Sequence, residues 1–343
     1  MKETLKKLSN MRGISGFEYR INQEIADMMK PFADEVFIDN CGSVVAVKKS
    51  KNPGARIMLE AHMDEIGLMV KGIDEKGFIT FINIGGVDNR ILPSAEVTVH
   101  GKTDIWGVIG AKPPHLQTAT ESDKSIKITD MAIDTGMTKD EVSELVSVGD
   151  SITLSRNATE LLNGNLSGKS IDDRGGVSAL LKVMENVYGK DLDCDVYFVA
   201  AVQEEVGLRG AKTVTYNINP DMAIAIDVCH GVTPDNSYNA FDVGSGTVIS
   251  IGPNIHPKMA DKLKSLAEEN DIKYSIDVDG GDTGTDAWEI QVTREGIPTA
   301  LLSVPLKYMH TSVETVNMDD LEATVSLMTA FIENVKEAEW LCY

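Results

Sequence analysis

From Gly168 onward, short apolar runs alternate with stretches of helical period, and that rhythm limits the fold more than any other feature of the chain. Gly175 to Val187 carries Val177, Leu180, Leu181 and Met184 on one side of a helix. The apolar run ending at Val202 follows as a buried strand over 195–202, and Met222 to Ile226 as another. Pro257 opens a helix expected to reach about Asn270, since proline is favoured at a first helical position. Thr299 to Val304 reads as a strand. Asn317, with Asp320 three residues on, reads as the cap of a last helix whose apolar face includes Leu321, Val325, Met328 and Val335. Alternation of this kind specifies an α/β fold, a mixed sheet flanked by helices on both faces.

The earlier part of the chain has a different rhythm. Ser15 followed by Glu18 has the spacing of a capping box, opening a helix over 15–30 with Ile21, Ile25, Met28 and Met29 on one face. Residues 56–61 form a short strand that ends at His62. From Gly67 to about Asn163 the chain is rich in Val, Ile, Thr and Gly, with turn signals at 74–77, at Gly85-Gly86, from Asn89 to Pro93 and at 112–114. Many short strands of this spacing predict a small β-barrel or sandwich. Residues 121–133 read as a polar loop entering a strand. A length of 343 residues suits two domains. The division expected is 1–66 with 165–343 as the α/β domain and 67–164 as an inserted β-rich domain.

Charge narrows the partners. The chain has 32 basic against 53 acidic residues, a formal net charge of −21. That field repels a phosphate backbone, so nucleic acid and anionic membrane are excluded as partners. No apolar run is long enough to span a bilayer, and the opening Met-Lys-Glu-Thr-Leu-Lys-Lys-Leu lacks an apolar signal core, so a cytoplasmic protein is expected. The cysteines, Cys41, Cys194, Cys229 and Cys342, are not spaced as a structural zinc site. Cys229, close to Asp227, reads as a small core residue.

The chemistry gathers where apolar strands end. His62 and Asp64 follow one strand, Glu204 and Glu205 another, Asp227 a third, and His310 comes shortly after a fourth, beyond Pro305. Asp172 and Asp173 stand at the start of the 175–187 helix, where they could also serve as its cap. Open α/β sheets bind ligands outside the carboxyl ends of their strands, so residues from distant segments point to one centre. Imidazole and carboxylate donors without thiolate suit zinc, cobalt or manganese. The set exceeds what a single zinc uses and fits two ions sharing a carboxylate, about 3.5–4 Å apart. His100, His115, His230 and His256 read as structural histidines.

The segments Ala61 to Gly67, Ile171 to Gly176, Gln203 to Ala211, Ala225 to Asp227, Gly284 to Ala287 and Tyr308 to Thr311, in that order, resemble the tetrahedral, glutamyl-aminopeptidase-like family of dinuclear metallopeptidases. The resemblance covers nearly the whole chain. It implies that His62 and Asp227 hold one metal, that Glu205 and His310 hold the other, and that Asp172 bridges them. It implies Asp64 as the residue that orients His62, Glu204 as general base, and a cis peptide between Asp172 and Asp173. It further implies peptide substrates with a free N-terminus, two divalent ions per chain, and a β-rich domain through which dimers assemble into a dodecamer. The stretch Gly280 to Thr283 is acidic and unusual for the rim of the substrate pocket. Two other readings use the same residues: a glycoside hydrolase working through Glu204 and Glu205, and a non-catalytic metal-binding scaffold that would not need Glu204.

Overall fold

The computed structural model describes residues 1–52, 54–118 and 124–335; Cys342 and the first residues of the expected 121–133 loop lie outside them. Helices α1 (Lys2–Asn10) and α2 (Asn22–Met29) precede strands β1 (Glu35–Ile38), β2 (Val44–Lys48) and β3 (Arg56–His62). A run of short strands follows: β4 (Gly67–Ile73), β5 (Ile79–Ile84), β6 (Glu96–His100), β7 (Asp104–Ile109), β8 (Ile133–Asp134) and β9 (Ser151–Leu154), with helix α3 (Lys139–Leu145) before the last. After β10 (Thr159–Glu160) and β11 (Asn165–Gly168) helices and strands alternate. They are α4 (Ile171–Val187), β12 (Asp195–Ala201), α5 (Arg209–Ile218), β13 (Met222–His230), β14 (Thr247–Ile251), α6 (Pro257–Glu269), β15 (Tyr274–Val278), α7 (Ala287–Ile290), β16 (Thr299–Lys307), β17 (Glu314–Asn317) and α8 (Met318–Asn334).

Two sheets result. The large one is mixed and runs β1-β2-β12-β3-β13-β16-β17-β11-β10, with β14 and β15 branching from β16. Its centre, β12-β3-β13-β16, is parallel. These strands are almost continuously buried, as parallel strands covered on both faces must be. Register brings their carboxyl ends level: Ala201 pairs with His62, and Ala225 with Glu60. The second sheet is a closed barrel, β4-β5-β8-β7-β6-β9. Its core of Leu68, Val70, Phe81, Val97, Val99, Ile133 and Ile152 forms a cluster separate from that of the large sheet. Each such fully buried Leu or Ile side chain contributes about 1.5–3 kcal/mol. Among the described residues no helix is long and apolar enough to cross a membrane.

Several local expectations are corrected. No capping box opens a helix at Ser15: a single 3-10 turn at Glu18–Arg20 precedes α2. The Ser15 hydroxyl instead donates to Asp64 at 2.5 Å, and the Glu18 carboxylate accepts from the Gln203 backbone at 2.9 Å. Tertiary partners outbid the local cap. Asn317 does cap α8, accepting from the Asp319 backbone, but Asp320 turns away to accept from Gly244 and Gly246. The strand read as ending at Ile226 runs on to His230, because β16 continues beside it and pairs Asp227 with Ser303 and His230 with Leu306. Asp227 therefore sits within a strand. β16 likewise passes through Pro305, which falls where its second neighbour changes from β14 to β17, so the missing N–H breaks no bond on that side.

Candidate metal centre

The parallel strands deliver their polar ends to one place. His62 ends β3, and its Nε2 lies 3.1 Å from Asp172 Oδ1. His310, held at a φ of 60° beyond β16, places its Nε2 3.3 Å from Asp172 Oδ2 and 3.3 Å from Glu205 Oε1. Each oxygen of one carboxylate thus faces a different imidazole. Donor atoms of His62, Asp172 and Glu205 all lie within 4.8 Å of one another. Glu204 Oε2 stands 3.9 Å from His62 Nε2. Asp227, from β13, lines the same cavity of about 690 Å³ and bends its own Oδ1 to the Val228 N–H at 2.7 Å.

Asp64 joins two of these strand exits. It is fully buried, accepts from the Glu204 and Glu205 backbones at 3.1 and 3.2 Å, and lies 3.5 Å from His62 Nδ1, which has no hydrogen-bond partner among the described residues. Behind it Arg174, wholly buried, donates to the carbonyls of Leu8, Met11, Gly13 and Met63 and to Glu65, whose other oxygen takes Lys169. This network ties α1 to the exit of β3. The Asp172–Asp173 peptide is cis, and both residues depart from helical dihedrals. Asp173 accepts from Gly176 at 2.9 Å, so the capping alternative describes Asp173 and leaves Asp172 free to face the histidines.

Electrostatics mark the cluster as built around positive charge. Burial opposes ionisation of Asp172, yet His310 and His62 hold its carboxyl below the usual range. Burial pushes Glu204 up to about 10, with Asp227, Asp286 and Glu205 adding to the effect against His62. Burial and then the Asp172 charge push Asp227 up to about 7. Asp172 and Glu205 draw His310 up to about 11. Burial disfavours a charged His62, but Asp172 and Asp64 still raise it well above its ordinary value. Crowded buried carboxylates raise one another in this way unless cations neutralise them. Two imidazoles and several carboxylates, with one carboxylate open on both sides, fit divalent ions of the zinc, cobalt or manganese type.

Residues that sequence reasoning missed support the centre. Glu314 accepts from the backbones of Ile171, Asp172 and His310 at 2.7, 3.2 and 2.9 Å, so it clamps two of the facing residues. No spacing signal singles it out. Gly86, read as part of a turn, lends its carbonyl to His310 Nδ1 at 3.2 Å. Glu60 shares a strand face with His62, and burial raises its carboxyl to about 8 near Asp286. Of the histidines set aside, His100 is structural, 2.7 Å from Asp104 and 2.9 Å from Thr153 on the outer face of the barrel. His230 instead lines the cavity, and so does Cys229, which was expected in the core. Burial, then Asp277 and Asp227, push the Cys229 thiol upward, which suits neither a ligand nor a nucleophile.

A mixed sheet that gathers this donor set at the ends of its parallel strands is the scaffold of a metal-dependent hydrolase. The model of the M42 glutamyl aminopeptidase family matches residues 42–327, and the chain belongs to that family of peptidases. It is 34% identical to the lysyl aminopeptidase of Pyrococcus furiosus, over 98% of each chain. Its structure is similar to that of aminopeptidase APDkam598 from the archaeon Desulfurococcus kamchatkensis, with a TM-score of 0.92, 39% identity, and coverage of 99% of this chain and 96% of that one. It is also similar to the TET1 peptidase of Pyrococcus horikoshii, described as assembling into a tetrahedron or a large octahedral shell, at a TM-score of 0.86, 36% identity, and coverage of 97% and 99%.

Proposed function

We propose that this protein removes single residues from the N-termini of peptides, using two divalent ions held by His62, Asp172, Glu205, Asp227 and His310. The observation that carries this reading is Asp172, whose two oxygens face two different imidazoles at 3.1 and 3.3 Å. Asp172 would serve both ions, with His62 and Asp227 holding one of them and Glu205 and His310 the other. Such ions, zinc or cobalt with manganese also compatible, would supply Lewis acidity at the site when bound.

The chain's own groups do the rest. Glu204, within 3.9 Å of His62 and not needed as a ligand, takes the proton from the attacking water and returns it to the leaving amine. Asp64 orients His62 and holds the backbone from which Glu204 and Glu205 project. The acidic centre attracts a peptide's α-ammonium group, which confines cleavage to chain ends.

Residues 67–164 are the inserted domain of this reading, apart from the edge strand β10, which joins the large sheet, and 1–66 with 165–343 are the catalytic one, with helices over both faces of its sheet. The inserted barrel mediates dimers that build a dodecamer, a proposal supported by the tetrahedral assembly of the Pyrococcus horikoshii relative. Free Cys41, Cys194 and Cys229 fit a reducing, cytoplasmic setting. The test is hydrolysis of aminoacyl anilides with and without chelator. Activity abolished by chelator and restored by added metal is expected. Chelator-resistant cleavage of a β-glucan, with none of an anilide, would favour the sugar hydrolase instead.

A further inference from the structure

The cavity beside the metal centre extends along one face of the large sheet. On β13, Asp227 and Cys229 are two residues apart and share that face. The wall continues past Leu301 and Ser303 of β16 to Ser250 of β14, and ends at Asp277 of β15. Ser250 and Asp277 are paired in a parallel register, so their side chains stand together on that face. Strand spacing puts β13 and β15 roughly 14 Å apart across β16 and β14, leaving room for an extended side chain between the metal centre and Asp277.

The far end of this cavity has a definite chemistry. Seven carboxylates line it: Asp172, Glu204, Glu205, Asp227, Asp277, Asp279 and Asp282. The first four belong to the metal centre, and the last three do not. Among the described residues no Lys or Arg lines it. Burial, then the charges of Asp277 and Asp282, raise the Asp279 carboxyl, so these groups repel one another. Asp282 gives one oxygen to the Gly284 backbone at 2.8 Å. Ser250 is the second observation: it is 1% exposed, it lines the cavity, and its Oγ has no hydrogen-bond partner among the described residues. An ammonium group has three donors and no acceptor, and would use Ser250 Oγ and the Asp277 carboxylate together. A guanidinium would do the same with a planar fork. An acidic side chain would be repelled by these three carboxylates.

We infer that this end of the cavity receives the side chain of the substrate's N-terminal residue and selects lysine and arginine. This rests on the aminopeptidase reading above. The family description says glutamyl and one relative's name says lysyl, so membership alone leaves the choice to the pocket.

The test is kcat/KM on Lys-, Arg-, Leu- and Glu-p-nitroanilides for the metal-loaded protein and for Asp277→Asn, Asp279→Asn and Asp282→Asn. The expected result is Lys and Arg above Leu by at least about tenfold, with Glu lowest. Asp277→Asn should lower the Lys-to-Leu ratio by at least about tenfold, the scale of one lost charge-assisted contact. Because the readout is a ratio, a general loss of fold or metal cancels from it. Should Asp277→Asn turn over nothing, the ratios for the other two aspartates and the wild-type ranking decide. Preference for Leu or Glu, or an unchanged ratio in all three variants, overturns the pocket assignment while the aminopeptidase reading stands. No turnover of any anilide by wild type overturns both.

Discussion

Glu204 and Glu205 are adjacent and chemically the same, but their surroundings differ. Glu205 stands 3.3 Å from His310 among the proposed ligands, whereas Glu204 lies 3.9 Å from His62. Replacing each by Gln keeps the shape and removes the basicity. Glu204→Gln is expected to keep metal near the wild-type content and to lose turnover by at least about 10²–10⁴-fold, the range of a general base. Glu205→Gln is expected to lose metal, with excess metal restoring part of the rate. Metal analysis beside turnover on both variants checks this, and the reverse pattern would exchange the two roles. The pair was legible in sequence because it followed an apolar strand. Ser15 and Glu18 were misread at the same scale: capping-box spacing is a local signal, and their real partners lie 49 and 185 residues away.

Among the elements, the turn after β5 matters beyond its own sheet. Gly86 holds His310 Nδ1, and a methyl group at its Cα would meet that nitrogen at 2.7 Å and Cε1 at 3.0 Å. A methyl group on Gly85, at a φ of 75°, would meet Ile66 Cγ2 at 2.8 Å and Glu205 Cβ at 3.3 Å. Gly86→Ala should therefore push His310 from Asp172 and Glu205 while leaving both cores intact. The expected outcome is a 10–100-fold loss of metal affinity or activity, as for other supports of ligating histidines. Unfolding temperature should stay close to wild type. Calorimetric metal titration with a melting curve tests it; unchanged affinity would mean the turn only closes the barrel. Here a Gly-Gly pair announces a turn in any sequence, and nothing in its type says which histidine it will touch.

For the whole molecule, the donor set carries one consequence and the two separate cores another. Protein reconstituted with excess metal should bind about two equivalents per chain, and a plateau at one would remove the paired centre. Excising 67–164 and joining the ends should leave the α/β core folded by circular dichroism while the particle shrinks in light scattering. Activity is the wrong readout for that deletion, because Gly86 leaves with the barrel. If the shortened chain keeps the size of the full assembly, the barrel is not what joins the subunits.

What the sequence determined by itself is what repeats along the chain or sits next to such a repeat. Apolar runs of strand length and helical faces at 3.6 spacing come from burial, which acts on every residue of an element at once, so the α/β class and the β-rich stretch were readable. His62, Glu204, Glu205, Asp227 and His310 were readable as candidates because charge placed beside a buried strand is costly without a reason, and Asp172 as one of two acidic residues at a helix start. The tertiary structure alone decided which of them meet. Parallel register levels His62 with the exit of β12, pairing with β16 carries β13 past Asp227, and Glu314 and Gly86 fix the histidine that arrives from the far side. Those choices rest on single contacts between segments up to 224 residues apart, and a single contact leaves no periodic trace in a sequence.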